Sequence, residues 1–135
     1  MHAQHLELLK KKYGDKVRWL TVYIAEAHAS DEWTLRDDFN AELDGKWDVP
    51  VARTMDQRLH TAREWVDWLN PSMEYVVDKM DDNARKTYAA WPERLVVIEN
   101  GVVQYYGKQG PWGYDTDEVG AWLEQRFAGA TTSKM

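Results

Sequence analysis

Residues 94–106 read RLVVIENGVVQYY and carry the clearest local fold signal in the chain. Asn100-Gly101 separates two runs that are rich in valine, the second of which ends in two tyrosines. Asn-Gly suits a type I′ turn, because both central residues of that turn have positive φ. The stretch therefore predicts a β-hairpin whose strands flank residues 100–101.

A loop and a last helix are predicted after the hairpin. Residues 107–114, GKQGPWGY, are typical of a loop because glycine and proline interrupt regular structure. Asp115 and Glu118 indicate a helix start. The apolar face of this helix is predicted to contain Val119, Trp122, Leu123 and Phe127. Residues 129–135 are small and polar and predict a flexible tail, so residues 1–128 are expected to form the domain.

Helices and strands alternate before the hairpin. Leu6, Leu9 and Tyr13 have helical spacing and predict a helix over residues 3–13. Residues 17–25 are almost continuously apolar, which predicts a strand buried on both faces.

The middle of the chain predicts two more helices and a strand. Thr54 and Gln57 form a capping box before a stripe of about four turns. The stripe consists of Met55, Leu59, Ala62, Val66 and Leu69. A short strand over 73–77 and a short helix capped by Asp81 or Asp82 follow. Residues 34–43 are ambiguous and are compatible with one further helix.

This order favours an α/β class, a thioredoxin-like mixed sheet flanked by helices. That plan opens with a strand before the first helix, and the first strand is absent from this chain. The 135 residues suit one domain.

Composition excludes several function classes. The net charge of −6 argues against binding to nucleic acid, because phosphate backbones repel acidic proteins. No apolar run is long enough to span a bilayer and no secretory signal is visible, so a cytoplasmic protein is expected without membrane partners. The chain has no cysteine, so it contains neither a disulfide nor a thiol nucleophile.

Three motifs resemble those of the iodothyronine deiodinase family. Residues 22–33, VYIAEAHASDEW, resemble the family signature V-Y-I-E-E-A-H-x-S-D-G-W. Residues 92–98, PERLVVI, resemble its E-R-L-x-V-I strand, and residues 107–114 resemble its G-G-[KR]-G-P-x-x-Y loop. The resemblance covers roughly residues 3–127 and includes the closing helix.

The resemblance implies a reductive dehalogenase in which a selenocysteine or cysteine attacks iodine on an aromatic ring. In the family this residue ends the first strand, and thiols then regenerate it. The chain begins about where the first helix begins, so the reactive residue is expected to lie immediately upstream. Either the chain was cut after that residue, or it is a natural member that lacks it.

By the same resemblance, His28 and Glu93 are the candidate proton relay. Neighbouring Pro92 and Leu95 are expected to bury Glu93 in part, and Trp91-Pro92 is expected to be a cis peptide. The alternatives are that His28 only orders its loop and that Glu93 is a paired carboxylate at a strand edge. The candidate substrate-binding residues are Glu26, Trp33, Pro92, Lys108 and Gln109.

Two positions depart from the family pattern. Ala52 stands where many vertebrate members carry a second histidine, and Gln109 stands at the basic position of the G-G-[KR]-G-P loop. Recognition of thyroid hormone is therefore not expected from the motifs alone, although Arg53 or Lys108 are possible substitutes.

Three functions are compatible with these patterns. The first is a thiol-dependent oxidoreductase acting on an iodinated aromatic, with its nucleophile missing from this chain. The second is a non-catalytic interaction domain that self-associates as a homodimer, because a sheet without its first strand exposes backbone edges. The third is a carrier of aromatic ligands built around Trp33, Trp91 and Trp112.

No cofactor or metal is expected. His2 and His5 are three residues apart, but no further ligands stand at fixed spacing from them. We expect these two histidines on a solvated helix face.

Overall fold

Helices and strands alternate in the computed structural model, which describes residues 2–27 and 50–132, with side chains through residue 128. In chain order the elements are α1 (His2–Tyr13), β1 (Leu20–Tyr23), α2 (Met55–Leu69), β2 (Glu74–Val77), α3 (Asn83–Tyr88), β3 (Val96–Glu99), β4 (Val102–Tyr106) and α4 (Thr116–Thr132). This mixed α/β order, with small sheets flanked by helices, confirms the predicted thioredoxin-like class. The ambiguous segment 34–43 lies outside the described residues.

The predicted hairpin is confirmed. β3 and β4 are antiparallel, with Glu99 opposite Val102 across the turn. Asn100 and Gly101 have φ values of 53° and 76°, the left-handed conformation that this turn requires. The pairing shifts by one residue between Val97 and Ile98, which is a β-bulge.

The chain forms two compact units, which we call the terminal unit (residues 1–19 and 93–135) and the central unit (residues 20–92). The terminal unit contains α1, the hairpin and α4. The central unit contains β1, α2, β2 and α3. Among the described residues, none of the helices is both long and apolar enough to cross a membrane.

The core of the terminal unit joins α1, β4 and α4. Its buried members are Leu9, Tyr13, Tyr105, Val119 and Leu123. All of them except Tyr105 of β4 belong to the helical faces that the spacing predicts, and Leu123 is only 1% exposed.

The start of α4 is fixed by two contacts. Asp115 Oδ1 accepts hydrogen bonds from the backbone N–H groups of Asp117 and Glu118, at 2.9 and 3.2 Å, as the sequence predicts. His5 Nδ1 lies 2.7 Å from Thr116 Oγ1, so the prediction of a solvated face for His5 is wrong. The backbone of α4 continues to Thr132, into the segment predicted to be a tail.

The central unit is built on two parallel strands. Leu20 of β1 lies opposite Glu74 of β2, and Tyr23 lies opposite Val77. The prediction that β1 is buried on both faces is wrong, because Leu20 is 47% and Val22 37% exposed. Helix α2 packs on β2.

The N-terminal cap of α2 follows the sequence prediction. Thr54 accepts a hydrogen bond from Gln57 N at 3.2 Å, and Asn70 ends the helix with a left-handed φ of 46°. The buried face differs from the predicted stripe, since Arg58 and Thr61 are buried beside Ala62.

Helix α3 is capped in part as predicted, because Asp81 Oδ1 accepts a hydrogen bond from Asn83 N at 3.1 Å. Asp82 occupies the N-cap position but its side chain accepts no cap hydrogen bond. Instead, the buried Asp78 accepts hydrogen bonds from Ala84 N and Arg85 N at 3.0 and 2.9 Å. The cap is therefore shared between Asp81 and Asp78, and a carboxylate there also suits the positive end of a helix dipole.

Candidate functional site

A cavity of about 160 Å³ opens in the central unit where β1 ends. One part of its wall is apolar and includes Ala25, Pro50, Val51, Ala52 and Trp91. The polar part of the wall consists of Tyr23, Glu26, Arg58, Thr61 and Arg85. An apolar cavity of about 150 Å³ accepts benzene, so the space is suited to a group of about one ring.

The peptide between Trp91 and Pro92 is cis, as predicted. Trp91 lines the cavity, which places the candidate residue Pro92 directly after a wall residue.

Tyr23 and Glu26 form a hydrogen-bonded pair on the cavity wall. The Tyr23 hydroxyl donates to Glu26 Oε2. Burial raises the pKa of Tyr23 well above its ordinary value, and the negative charge of Glu26 raises it further. Tyr23 is therefore a protonated donor throughout the physiological pH range, and Glu26 is its acceptor.

The buried Arg58 is the centre of an ionic network. Its Nη1 atom donates to the carbonyl oxygens of Asp78 and Lys79, at 3.2 and 2.8 Å. Its Nη2 atom lies 3.0 Å from Asp82 Oδ1, while Arg85 Nη2 lies 3.1 Å from Asp82 Oδ2. Asp82 thus bridges the two arginines that line the cavity.

The pKa of Asp82 is lowered by this network. Burial alone would raise it, but hydrogen bonds from Arg85 and Arg58 outweigh that effect. A carboxylate whose folded pKa lies below its unfolded value stabilises the fold when it is ionised.

We expect Asp82→Asn to lower the free energy of unfolding by about 2 kcal/mol near neutral pH, because two charge-assisted hydrogen bonds are weakened. The contribution is complete above the unfolded aspartate pKa of about 3.9 and is lost as the pH falls through the lowered folded pKa. The difference between the wild type and the variant should therefore shrink at acidic pH. Urea unfolding at a series of pH values measures it.

Asp67→Asn is the matched control, because Asp67 is an exposed aspartate in the same unit. Its effect should stay within about 0.5 kcal/mol. A difference for Asp82→Asn that is constant across the whole pH range would contradict the assignment of the charge to Asp82.

Glu93 lies in the terminal unit and is exposed, so the prediction of partial burial by Pro92 and Leu95 is wrong. Its side chain lies over Gly110 instead, where a Cβ would stand 2.4 Å from Glu93 Cγ. The two residues are also joined through the backbone, since Gly110 N donates to Glu93 O at 2.9 Å. The absence of a side chain at position 110 is therefore what allows the Glu93 carboxylate to lie there.

The predicted loop residues Lys108 and Gln109 are both exposed. The loop is tied to the segment before β3, because Gly107 N donates to Leu95 O at 2.9 Å. Within it, Gln109 O accepts from Gly113 N at 3.1 Å. The loop therefore places Lys108 and Gln109 in the same part of the terminal unit as Glu93.

The other predicted site residues are not assembled by the described structure. His28 and Trp33 lie outside the described residues. Trp112 is 98% exposed, which does not fit its predicted place in an aromatic-lined pocket. Among residues 2–27 and 50–132, no three histidine or carboxylate side chains are grouped as metal ligands.

Arg58, Arg85 and Tyr23 are cavity residues with polar groups that were not among the predicted site residues. Arg58 stands three residues before Thr61 and four before Ala62, on the same face of α2. A cation on that face was the sequence signal by which Arg58 could have been identified. The sequence around Arg85 contains no comparable pattern that would indicate a cavity residue. Tyr23 stands three residues before Glu26, but the strand pattern explains a tyrosine there without a partner.

Comparison with known proteins supports one family. The family model described as iodothyronine deiodinase matches residues 2–127. A type I iodothyronine deiodinase of Xenopus laevis is 35% identical over 118 residues, which cover 87% of this chain and 43% of that protein. A thyroxine 5-deiodinase of Bos taurus is 35% identical over 117 residues, which cover 87% of this chain and 36% of that protein.

A thyroxine 5-deiodinase of Sparus aurata is 35% identical over 123 residues, which cover 91% of this chain and 43% of that protein. The chain thus spans less than half the length of these curated relatives. Since the family model extends over nearly all of the chain and its motifs occur in the family's order, the chain belongs to the iodothyronine deiodinase family.

Proposed function

We propose that this chain supplies the proton-handling and substrate-facing part of a thiol-dependent oxidoreductase that removes iodine from aromatic rings. The observation that carries the proposal is the family match over residues 2–127. The ring-sized cavity at the end of β1, with Glu26 and Tyr23 on its wall, supports it.

The proposed reaction has two steps and needs a nucleophile outside these 135 residues, since they contain no cysteine. A selenolate or thiolate attacks the iodine, the carbon–iodine bond breaks, and the ring carbon takes a proton. Two thiols then reduce the selenenyl or sulfenyl iodide to the starting anion, releasing iodide, two protons and a disulfide. Overall, an aryl iodide and two thiols give an arene, a disulfide, iodide and one proton.

Within this proposal, His28 and Glu93 carry the proton to the ring carbon. An imidazole titrates near neutral pH and is suited to that task. Glu26, Trp33, Pro92, Lys108 and Gln109 face the substrate. Because Ala52 lines the cavity in place of the family's second histidine, the substrate need not be thyroid hormone.

Iodide release tests the proposal. The chain is given an N-terminal strand that ends in cysteine, and iodide is measured with an iodinated phenol and dithiothreitol. We expect release from the cysteine form and none from the matched serine form. A folded cysteine form without iodide release would overturn the proposed reaction.

His28→Asn in the cysteine form tests the proton donor. Loss of a general acid should lower the rate of iodide release by about 100-fold. His60→Asn is the matched control, because His60 is 74% exposed and pairs with Glu64 on α2. Equal rates in the two variants would contradict a role for His28.

A second candidate function is self-association as a homodimer without catalysis. The observation that favours it is the apolar surface of the β1–β2 sheet, where Leu20, Val22 and Val76 are 37–47% exposed. Light scattering at high concentration tests this, and a strictly monomeric protein would contradict it. The cytoplasmic location expected from the sequence stays a prediction.

A further inference from the structure

A glycine of the loop 107–114 lies directly against the candidate relay residue Glu93. A Cβ built on Gly110 would stand 2.4 Å from Glu93 Cγ, 2.8 Å from its Oε1 and 3.0 Å from its Cδ. These distances are shorter than van der Waals contact. Position 110 therefore has no room for a side chain while the Glu93 side chain keeps its place.

The requirement for glycine at position 110 concerns space and not backbone conformation. Glycine is also favoured where φ is positive, but among the described residues Gly101 is the glycine with a positive φ. No left-handed φ excludes alanine at position 110. The nearest atoms that exclude it all belong to the side chain of Glu93.

The backbone holds the loop against the segment that contains Glu93. Gly110 N donates to Glu93 O at 2.9 Å, and Gly107 N donates to Leu95 O at 2.9 Å. Two hydrogen bonds thus fix the loop beside the residues that precede β3. The Glu93 side chain lies on main chain, which cannot rotate away as a neighbouring side chain would.

Burial does not fix the place of the Glu93 carboxylate, because Glu93 is exposed. A glutamate on a surface has several staggered rotamers, and local contacts select among them. The rotamer in which Glu93 Cγ lies over position 110 exists only while that position has no Cβ. An alanine at position 110 would turn the Glu93 side chain to another rotamer, into space that its exposure leaves open.

We propose that Gly110 is a positioning residue, which acts through Glu93 by setting the place of its carboxylate. The proposal rests on the proposed function, in which Glu93 carries a proton to the ring carbon. A group that transfers a proton must lie within hydrogen-bond reach of its partner. A displacement of about 1 Å lowers the rate by about 100-fold. The loop thus contributes more than the predicted substrate residues Lys108 and Gln109, because it also sets the proton relay.

Nuclear magnetic resonance of the full chain tests the geometry without any reaction. We expect a nuclear Overhauser cross-peak between Glu93 Hγ and Gly110 Hα in the wild type. The scalar couplings that report χ1 of Glu93 should change in Gly110→Ala and stay the same in Gly120→Ala. Gly120 on α4 is the matched control, because a Cβ there meets Leu9 at 3.4 Å, in ordinary contact. A wild type without the cross-peak, or unchanged couplings in Gly110→Ala, would overturn the proposal.

A double variant separates the contact with Glu93 from the folding of the loop. Glu93→Ala removes the three atoms that a Cβ at position 110 would meet. Any loss of melting temperature in Gly110→Ala should therefore vanish when Glu93→Ala is also present. An equal loss in both backgrounds would show that Gly110 serves the fold of the loop and does not position Glu93.

The rate of iodide release from the cysteine form tests the consequence for the reaction. Gly110→Ala should lower this rate by about 100-fold. In a Glu93→Gln background, the same substitution should change the rate by less than about twofold, because the positioned carboxylate is already gone. The same fold-loss in both backgrounds would contradict a role that acts through Glu93.

The two proposals fail separately. A displaced Glu93 side chain in Gly110→Ala, with no iodide release from the cysteine form, would overturn the proposed reaction alone. Iodide release that depends on Glu93 but is unaffected by Gly110→Ala would overturn the positioning role alone.

Discussion

Arg58→Met is expected to lower the free energy of unfolding by about 3 kcal/mol, the low end of the range for removing one member of a buried ion pair. Arg58 is 4% exposed and binds two backbone carbonyl oxygens in addition to Asp82. Methionine retains apolar volume but donates no hydrogen bonds. The loss is kept near the low end because Asp82 still has Arg85 as a partner.

Urea denaturation measures this change, with Arg63→Met as the matched control. Arg63 is on the same helix and is exposed, so its replacement should change stability by less than about 0.5 kcal/mol. A similar small change in both variants would show that the Arg58 network contributes little to the central unit.

The second large effect is expected in the terminal unit. Leu123→Ala should lower the free energy of unfolding by about 3–5 kcal/mol, the upper part of the range for truncation of a buried leucine. Leu123 is 1% exposed and belongs to the cluster that joins α1, β4 and α4. The lost methyl groups leave a cavity that the rings of Tyr13 and Tyr105 cannot easily fill, because rigid side chains adapt poorly.

Leu8→Ala is the control for this variant. Leu8 is on α1 and is 66% exposed, so the same substitution removes little buried surface there. Its effect should be well under that of Leu123→Ala, within about 1 kcal/mol. Comparable losses for the two leucines would contradict the location of the core.

Local elements were predictable because their causes are local. Asn100 and Gly101 define a turn by their backbone preferences, whatever the rest of the chain does. Thr54 and Asp115 cap helices through hydrogen bonds to residues two or three positions away. The helical spacing of Leu9, Tyr13, Val119 and Leu123 likewise predicts which faces are buried.

The errors came from contacts between distant residues. Asp81 accepts one N–H of α3 as predicted, but the next two are accepted by Asp78, which follows β2 and was not predicted as a cap. The continuous apolar run of β1 indicates burial on both faces, yet burial depends on which elements pack there. Glu93 is exposed and its side chain lies over Gly110, seventeen positions away, which its apolar neighbours do not indicate.

The candidate site likewise has features that the sequence predicts and features that only the fold decides. The family motifs and the absence of cysteine are properties of the sequence, and the motifs identify the family to which the chain belongs. They also predict Glu26 as a site residue, and Glu26 lines the cavity at the end of β1. The partner of Glu26 and the pair of arginines that line the same cavity follow only from the fold.

The sequence by itself determined the order of the elements, the hairpin turn, the helix caps at Thr54 and Asp115, and the family. Only the tertiary structure decided that Arg58 is buried and joined to Arg85 through Asp82. The physical reason is that backbone preferences and helix caps act over a few residues, whereas burial of a charge depends on partners brought together by folding. Burial of an arginine on the apolar face of a helix is unfavourable when the guanidinium has no partners. It becomes favourable only when carbonyl oxygens and a carboxylate from elsewhere in the chain surround the charge.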